Sequence, residues 1–171
     1  MNYKIRLASE KDYPEILAMQ IACYYDVVPE CDDVIIERLT TYPNGCFVAE
    51  FENSIIGYIL SHPTYLAKPP RINTKLGNIS ADVNSYFIHD VSISAEYRKK
   101  GIANALIQAI IDHAKSQNYP TLTLIAVQNS ELFWSKYGFE SMSFDREKQL
   151  ELDNILAEYH CNLNYMVKAL F

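Results

Sequence analysis

Residues 102–116 carry the clearest periodic pattern in this chain of 171 residues. Mostly apolar side chains recur there at intervals of three and four, which predicts a helix over Ile102–Ser116 with one buried face. Segments of strand character lie on both sides of it, Tyr86–Ile93 before and Thr121–Val127 after, the second mostly β-branched and apolar. This order predicts a parallel strand pair joined by a right-handed crossover through the helix.

Shorter patterns complete the layout of the chain. Residues 61–85, with three prolines and no periodicity, read as a long connection of the kind that forms a functional lid or a disordered segment. The predicted order is strand, two helices, hairpin, strand, helix, strand, helix, strand, in one α+β domain over residues 1–171. The other predicted elements are a strand over 3–8, a helix from a Ser9 cap to Ala22, a break at Val28-Pro29-Glu30, a helix over Asp33–Leu39, a turn at Tyr42-Pro43-Asn44-Gly45, hairpin strands Cys46–Phe51 and Ile55–Leu60, a short helix over Glu131–Tyr137 and a strand over Tyr165–Phe171.

Composition and charge limit the classes of partner. Hydrophobic residues make up 49 % of the chain and charged residues 21 %, so it can bury a core without disulfide or metal staples. The net charge of −6 argues against a nucleic-acid partner held through its phosphates and fits a cationic substrate. No apolar run approaches the roughly 18–20 residues that a membrane span needs.

Cysteine spacing and the first residues bear on location. The first seven residues alternate like a strand and lack the long apolar stretch of a secretory signal. The four cysteines have no CxxC or other metal-ligand spacing, and they are interpreted as thiols of a reducing cytoplasm. One disulfide in an exported protein is the alternative. A cytoplasmic protein without a metal site is therefore expected; the cysteines are Cys23, Cys31, Cys46 and Cys161.

The segment Arg98-Lys99-Lys100-Gly101-Ile102-Ala103 links the strand over 86–93 to the long helix. The first N–H groups of a helix have no partner within the helix, and the helix dipole is positive there. Small residues at Gly101 and Ala103 would let a phosphate approach this backbone closely, with three cations beside it. A pyrophosphate site is the functional interpretation, and an ordinary surface turn with solvated charges is the alternative.

This segment resembles the signature of the GNAT family of acetyl-CoA-dependent N-acetyltransferases, Arg/Gln-x-x-Gly-x-Gly/Ala, which here reads Arg98-x-x-Gly101-x-Ala103. The segment Phe133–Phe139 resembles a second landmark of the family, a short helix that is rich in aromatic residues and ends in Gly-Phe. The element order from residue 3 to residue 171 is similar as well. The resemblance implies a three-layer α+β fold whose central, mostly antiparallel sheet splays open as a V and is flanked by helices.

The resemblance also implies where coenzyme A would lie. The strand before the loop is bulged in GNAT proteins, and backbone groups of Val91 and Ile93 would pair with pantetheine as with an added strand. A backbone N–H near Val91 would stabilise the oxyanion, and amides from 98–103 would hold the pyrophosphate. Asn129 stands two positions later than in the family pattern. The implied cofactor-binding residues are Val91, Ser92, Ile93, Arg98, Lys99, Lys100, Gly101, Ile102, Ala103, Asn129, Phe133 and Trp134.

Three residues are the candidates for proton transfer. His89 and Asp90 directly precede the pantetheine residues, and adjacent strand residues face opposite sides, so one of them points into the slot. Each is a candidate general base, for which an imidazole ionises in the right range, or a structural hydrogen-bonding residue. At the family's acid position stands Trp134, whose N–H is not a useful acid. Tyr137, about one turn on, is therefore the candidate acid or a packing residue beneath Gly138.

Residues outside this segment have two interpretations each. His62 lines the acceptor pocket or packs under the long connection. The acidic residues Glu30, Asp32 and Asp33, between the early helices, attract an ammonium group or form a solvated face. His113, on the apolar face of the long helix, is expected to be a core histidine.

The function that the resemblance implies is an N-acetyltransferase, which transfers the acetyl group of acetyl-CoA to a primary amine of a small molecule or peptide by direct attack in a ternary complex. One alternative is a non-catalytic acyl-CoA sensor or interaction module on the same fold. Another is a tRNA-directed acetyltransferase, against which the acidic balance counts. Neither a nucleic-acid nor a membrane partner is expected, and the chain is expected to be a monomer or a homodimer.

Overall fold

A computed structural model describes residues 1–24, 30–159 and 163–171. These residues divide into two compact units, the first over Met1–His62 and His89–His113 and the second over Pro63–Ile88 and Ala114–Phe171. The described part of the chain contains five α-helices and seven strands. They are β1 (Lys4–Leu7), α1 (Tyr13–Cys23), α2 (Asp32–Thr41), β2 (Cys46–Phe51), β3 (Ser54–Thr64), β4 (Ser85–Ile93), α3 (Ile102–Ser116), β5 (Thr121–Val127), α4 (Glu131–Ser135), β6 (Glu140–Ser141), α5 (Arg146–Leu156) and β7 (Leu163–Ala169).

In the first unit, β1, β2 and β3 form an antiparallel meander, and β4 lies next to β3. A 3₁₀ turn over Glu10–Asp12 precedes α1, and the Asp12 carboxylate accepts the Ser9 N–H at 2.8 Å, which fixes the helix start. Helices α1 and α2 bury their apolar faces against β2 and β3. The shared core consists of Ala8, Ile16, Met19, Ile35, Leu39, Cys46, Val48, Ile55, Tyr58 and Leu60.

In the second unit the strands follow the order β4, β5, β7, β6. Strands β4 and β5 are parallel, with register from Tyr86↔Leu122 to Ile88↔Leu124, as the strand–helix–strand pattern predicts. Strands β5 and β7 pair antiparallel along their whole length. Helix α5 packs on this part of the sheet through a core of Ala67, Phe87, Leu152, Tyr165 and Val167.

The predicted fold class is confirmed: the described residues form a mixed α+β fold with a mostly antiparallel sheet of seven strands and flanking helices. Several boundaries are corrected. Strand β3 continues through Pro63 to Thr64, so the predicted connection over 61–85 begins four residues too early, and Ser85 already belongs to β4. The short helix ends at Ser135, and neither β6 nor α5 was predicted.

Some predictions stay open. Val28 and Pro29, predicted to break the chain, and Cys161 lie outside the described residues. Among the described residues, Cys23, Cys31 and Cys46 form no disulfide. The splay of the sheet and the single domain over 1–171 stay predictions.

A close approach of β3 to β4 positions the segment that leads to α3. The register of β2 and β3 shifts between Ala49↔Gly57 and Glu50↔Ile55, which makes Ile56 the extra residue of a β-bulge. The Ile56 carbonyl accepts the Ser94 N–H at 3.0 Å. At Gly57 a Cβ atom would lie 2.6 Å from Ile93 Cδ1, so only glycine allows this contact without a shift.

Gly57→Ala is expected to destabilise the protein by roughly 1–3 kcal/mol, because the added methyl group overpacks the β3–β4 contact. Adding Ile93→Val, which removes the Cδ1 atom that is clashed with, should recover part of this loss. Urea denaturation of the single and double variants measures both effects. Equal stability of wild type and Gly57→Ala would contradict the close approach.

Candidate functional site

The basic loop before α3 has a backbone conformation suited to anions. It follows a 3₁₀ turn over Ala95–Tyr97. Lys99 has φ +61° and Gly101 has φ +83°. The backbone is therefore left-handed at the first and third of three consecutive residues. A non-glycine residue in this region stores strain, and such residues cluster at ligand sites. Backbone turns of this kind form concave nests of N–H groups that bind anions.

Several N–H groups of this loop have no hydrogen-bond acceptor within the described residues. The Arg98 N–H donates to the Ala95 carbonyl at 3.4 Å and the Ala105 N–H to the Gly101 carbonyl at 3.1 Å. Within the described residues, no acceptor is found for the backbone N–H groups from Lys99 to Asn104. Those amides are the ones that a helix start leaves without intrahelical partners. The pyrophosphate site at residues 98–103 stays a prediction.

Side chains at the loop have unequal roles. Arg98, Lys99 and Lys100 are exposed. The Arg98 guanidinium folds back onto β4, where its Nε donates to the Ile93 carbonyl at 3.2 Å. Lys100 Nζ lies 5.0 Å from the centre of the Tyr97 ring. Two lysines therefore supply mobile positive charge at the loop, while Arg98 joins the loop to the strand.

His89 lies in a group of polar side chains within the first unit. Its Nε2 lies 2.5 Å from Glu30 Oε2, and both side chains are largely buried, with 8 % and 15 % of their surfaces exposed. The His62 ring lies 5.7 Å from the His89 ring, and the Tyr42 ring lies 6.3 Å from that of His62. A buried imidazole held by a carboxylate is an arrangement that can take up a proton.

The charge of Glu30 is set by its neighbours. Burial by itself would raise the pKa of the Glu30 carboxyl, but His89 and Arg38 together hold it below its ordinary value. Arg38 is fully buried and pairs with Glu37 at 2.6 Å. Glu30 is therefore an anion at neutral pH.

Asp90 lies in a different environment from its neighbour. Its carboxylate accepts hydrogen bonds from Gln20 Nε2 at 3.1 Å, from Tyr58 Oη at 2.5 Å and from the Tyr24 hydroxyl. Burial raises the pKa of Asp90, although the three donors oppose this. Burial and the Asp90 charge raise the pKa of both tyrosines well above the ordinary value. Three donors around one buried carboxylate favour the structural alternative for Asp90.

Both His89 and Asp90 contact the region of α1 and α2, His89 through Glu30 and Asp90 through Gln20 and Tyr24. Neighbouring residues of a regular strand point to opposite faces. The bulge that the family resemblance implies for this strand would allow both contacts. Beyond them, Val91 and Ile93 are half-buried and Ser92 is buried.

The other predicted residues lie in the second unit. Asn129 is exposed and left-handed, with φ +56°, in the turn after β5. The Phe133 ring packs 5.1 Å from Trp134 and 5.2 Å from Tyr137, and Trp134 is 6 % exposed. Burial raises the pKa of Tyr137, which makes it a weaker acid than an ordinary tyrosine. Its place among these rings favours the packing alternative.

Sequence reasoning missed several members of the site. Glu30 was named as part of an acidic group for an acceptor, not as the partner of His89. No sequence pattern marks Gln20, Tyr24 and Tyr58 as members of the site. Their contacts with Asp90 join residues that are 32 to 70 positions apart in the sequence. His113 is half-buried, and its ring lies 6.5 Å from that of Phe47, where burial lowers its pKa.

Comparison with known proteins identifies the family. The profile of the Acetyltransferase (GNAT) family matches residues 13–139, well over half of the chain. The chain belongs to this family. Two relatives of this GNAT chain are named N-alpha-acetyltransferase. The one from Saccharolobus solfataricus is 30 % identical over 52 % of this chain and 58 % of its own. The one from Sulfolobus acidocaldarius is 24 % identical over 72 % of this chain and 77 % of its own.

Solved structures share the GNAT fold. Ard1 from Thermoplasma volcanium has a TM-score of 0.72 at 16 % identity and covers 100 % of this chain and 99 % of its own. Arabidopsis thaliana Naa50, solved with the bisubstrate analogue CoA-Ac-MVNAL, has a TM-score of 0.68 at 15 % identity and covers 99 % of both chains. At these identities the likeness concerns the fold alone.

Among the residues that the structure describes, no helix is long and apolar enough to cross a membrane. In the same ranges, no three His, Cys, Asp or Glu side chains lie together in a way that could hold a metal ion.

Asp90→Ala is expected to lower the free energy of unfolding by about 3 kcal/mol or more, because three buried donors lose their acceptor. Urea denaturation measures the loss, with Asp112→Ala on the exposed side of α3 as the control. The pKa of Asp90 is higher in the folded protein than in the unfolded chain. Its contribution to the free energy of unfolding is therefore complete below the pKa of an ordinary carboxyl group, and it declines as the pH rises through the raised pKa of the folded protein. The loss should therefore be larger near pH 4 than near pH 8. A loss below 1 kcal/mol at both pH values would exclude a structural role.

Proposed function

We propose that this GNAT chain is an N-acetyltransferase that transfers the acetyl group of acetyl-CoA directly to a primary amine. The observation that carries the proposal is the row of backbone N–H groups from Lys99 to Asn104, for which the described residues provide no acceptor at the start of α3. Pyrophosphate is the anion that such a helix start and its two exposed lysines suit. The family match supports coenzyme A as the molecule that brings it.

The α-amino group of a peptide is the acceptor that we propose first. Two relatives are named N-alpha-acetyltransferase, and the Naa50 structure holds an analogue that joins CoA to a peptide. An α-amine ionises near pH 7.7–8.0, against about 10.4 for lysine, so a modest base suffices to deprotonate it. The net charge of −6 favours cationic acceptors in general.

His89 is the proposed base, and Asp90 is proposed to act through structure alone. Acetyl-CoA supplies the acetyl group as a thioester. His89 takes a proton from the acceptor ammonium, which leaves a lone pair on nitrogen for attack on the thioester carbonyl. The backbone N–H near Val91 donates to the oxygen on which negative charge develops. The departing CoA thiolate takes a proton from solvent, and the acid role of Tyr137 stays a prediction of the sequence, because its ring packs against Phe133 and Trp134.

Gly101→Val should weaken CoA binding about 10- to 100-fold, because a branched residue disfavours φ +83° and the loop amides lose their alignment. Gly77→Val is the matched control. Gly77 is also left-handed, with φ +60°, but a Cβ atom added there would meet no atom within 4 Å, and the residue is outside the loop. Isothermal titration calorimetry with CoA compares the two variants. Equal affinities would contradict the cradle.

His89→Gln should lower kcat about 100-fold or more while the Kd for CoA stays the same, because a proton acceptor is lost and the cradle is not touched. His113→Gln, on α3, is the control. Release of the CoA thiol is followed with three acceptors: a peptide with a free N-terminus, the same peptide with a blocked N-terminus and a free lysine, and a polyamine. Turnover with the second or third alone would exclude the α-amine.

The same assay decides between an enzyme and a sensor. Trp134 in place of the usual acid motivates the sensor. Tight CoA binding without turnover of any of the three acceptors would favour a non-catalytic module.

A further inference from the structure

The carbonyl group of Ile93, at the end of β4, points away from β3. The Ser94 N–H, which belongs to the same peptide unit, donates to the Ile56 carbonyl of β3 at 3.0 Å. In a trans peptide unit the C=O and N–H groups point in opposite directions. The Ile93 carbonyl therefore faces the edge of β4 that lies opposite β3. Pantetheine that pairs with this edge as an added strand needs the carbonyl as an acceptor.

Two groups of the protein itself contact this carbonyl oxygen. Arg98 Nε donates to it at 3.2 Å, and Cys23 Sγ lies 3.8 Å from it. Arg98 Nη2 also donates to Cys23 Sγ at 3.5 Å, so the guanidinium joins the end of α1 to the end of β4. A carbonyl oxygen has two lone pairs, and these two donors occupy both. A pantetheine amide that binds here has to displace one of them.

We propose that Arg98 is a latch on this edge: its guanidinium holds the Ile93 carbonyl in the protein without CoA and passes to a phosphate group when CoA binds. The proposal rests on the proposed function for the place of CoA. Arg98 directly precedes the amides of residues 99–104 that are proposed to hold the pyrophosphate. A guanidinium binds a phosphate group more strongly than a neutral carbonyl, because the bond is charge-assisted and can be bidentate.

Arg98 is the member of this contact that can move. Its side chain is exposed, whereas Cys23 is half-buried at the end of α1. A hydrogen bond at an exposed position exchanges readily for one with water, so the guanidinium leaves the carbonyl at little cost. The contact also distinguishes Arg98 from Lys100 of the same loop, whose Nζ lies over the Tyr97 ring.

The latch makes the two parts of CoA depend on each other. A ligand that binds only the open state has its affinity reduced by the fraction of molecules that are open, so a latch closed in about 80–90 % of molecules weakens pantetheine about 5- to 10-fold. Pyrophosphate offers the guanidinium a better partner and thereby favours the open state. Arg98 therefore selects CoA thioesters over thioesters that lack the pyrophosphate.

The test compares wild type, Arg98→Met and Lys99→Met, each titrated with pantetheine and with CoA and followed by nitrogen-15 amide spectra. Arg98→Met should bind pantetheine about 5- to 10-fold more tightly than wild type, because the latch is lost. It should bind CoA less tightly, because the phosphate loses the guanidinium. Lys99→Met removes a neighbouring charge and should weaken CoA alone, since pantetheine is neutral.

The opposite directions of the two affinities distinguish a latch from a simple phosphate contact. Equal pantetheine affinities of wild type and Arg98→Met would overturn the latch, and so would the lack of measurable pantetheine binding by Arg98→Met. An equal gain for pantetheine in Lys99→Met would overturn it as well, since the effect would then not depend on the Ile93 contact. Failure of the wild type to bind CoA would instead contradict the proposed function.

A crystal structure of the CoA complex gives a second, direct readout. The Arg98 guanidinium should donate to a phosphate oxygen there, and the Ile93 carbonyl should accept a hydrogen bond from a pantetheine amide. CoA bound at residues 99–104 with Arg98 Nε still on the Ile93 carbonyl would overturn the latch and leave the proposed function standing.

Discussion

Backbone N–H groups without an acceptor at the start of α3 are the feature on which the site depends. A helix start always leaves such donors, but usually a side-chain cap or solvent satisfies them. Here Lys99 and Gly101 have left-handed backbone conformations, and alternating conformations of this kind form concave groups of N–H donors. The close approach at Gly57 and the Ile56–Ser94 hydrogen bond attach this loop to β3 and β4. The position of the loop is thus fixed by backbone contacts, and the lysines add charge.

Two neighbouring residues of β4 have different surroundings. Asp90 accepts hydrogen bonds from donors of α1 and β3, and these contacts link both elements to the strand. His89 contacts the Glu30 carboxylate and the His62 ring, and it is the residue that we propose as the general base.

The sequence predicted the elements whose patterns are local. The periodicity of α3, the β-branched run of β5 and the hairpin were found at or near their observed bounds, and the loop motif led to the family that the profile match confirms. The sequence did not predict helix α5, because its first turns are polar and its buried face is narrow, with Leu152 and Ile155 as its buried residues. Strand β3 passes through Pro63, a residue that usually ends a strand.

The site was less predictable than the fold. The choice between His89 and Asp90 depends on Glu30, Gln20, Tyr24 and Tyr58, which reach β4 only through tertiary packing. The role of Tyr137 depends on the rings around it, and the sequence could name these rings but not their contacts.

Amide spectra of the nitrogen-15-labelled protein, titrated with CoA and separately with pantetheine, test the account most directly. Pantetheine lacks the pyrophosphate but keeps the thiol arm. We expect CoA to shift the amide signals of residues 99–104 strongly and pantetheine to leave them nearly unchanged. Signals of 99–104 that stay still during saturation with CoA, or that move equally with pantetheine, would contradict it.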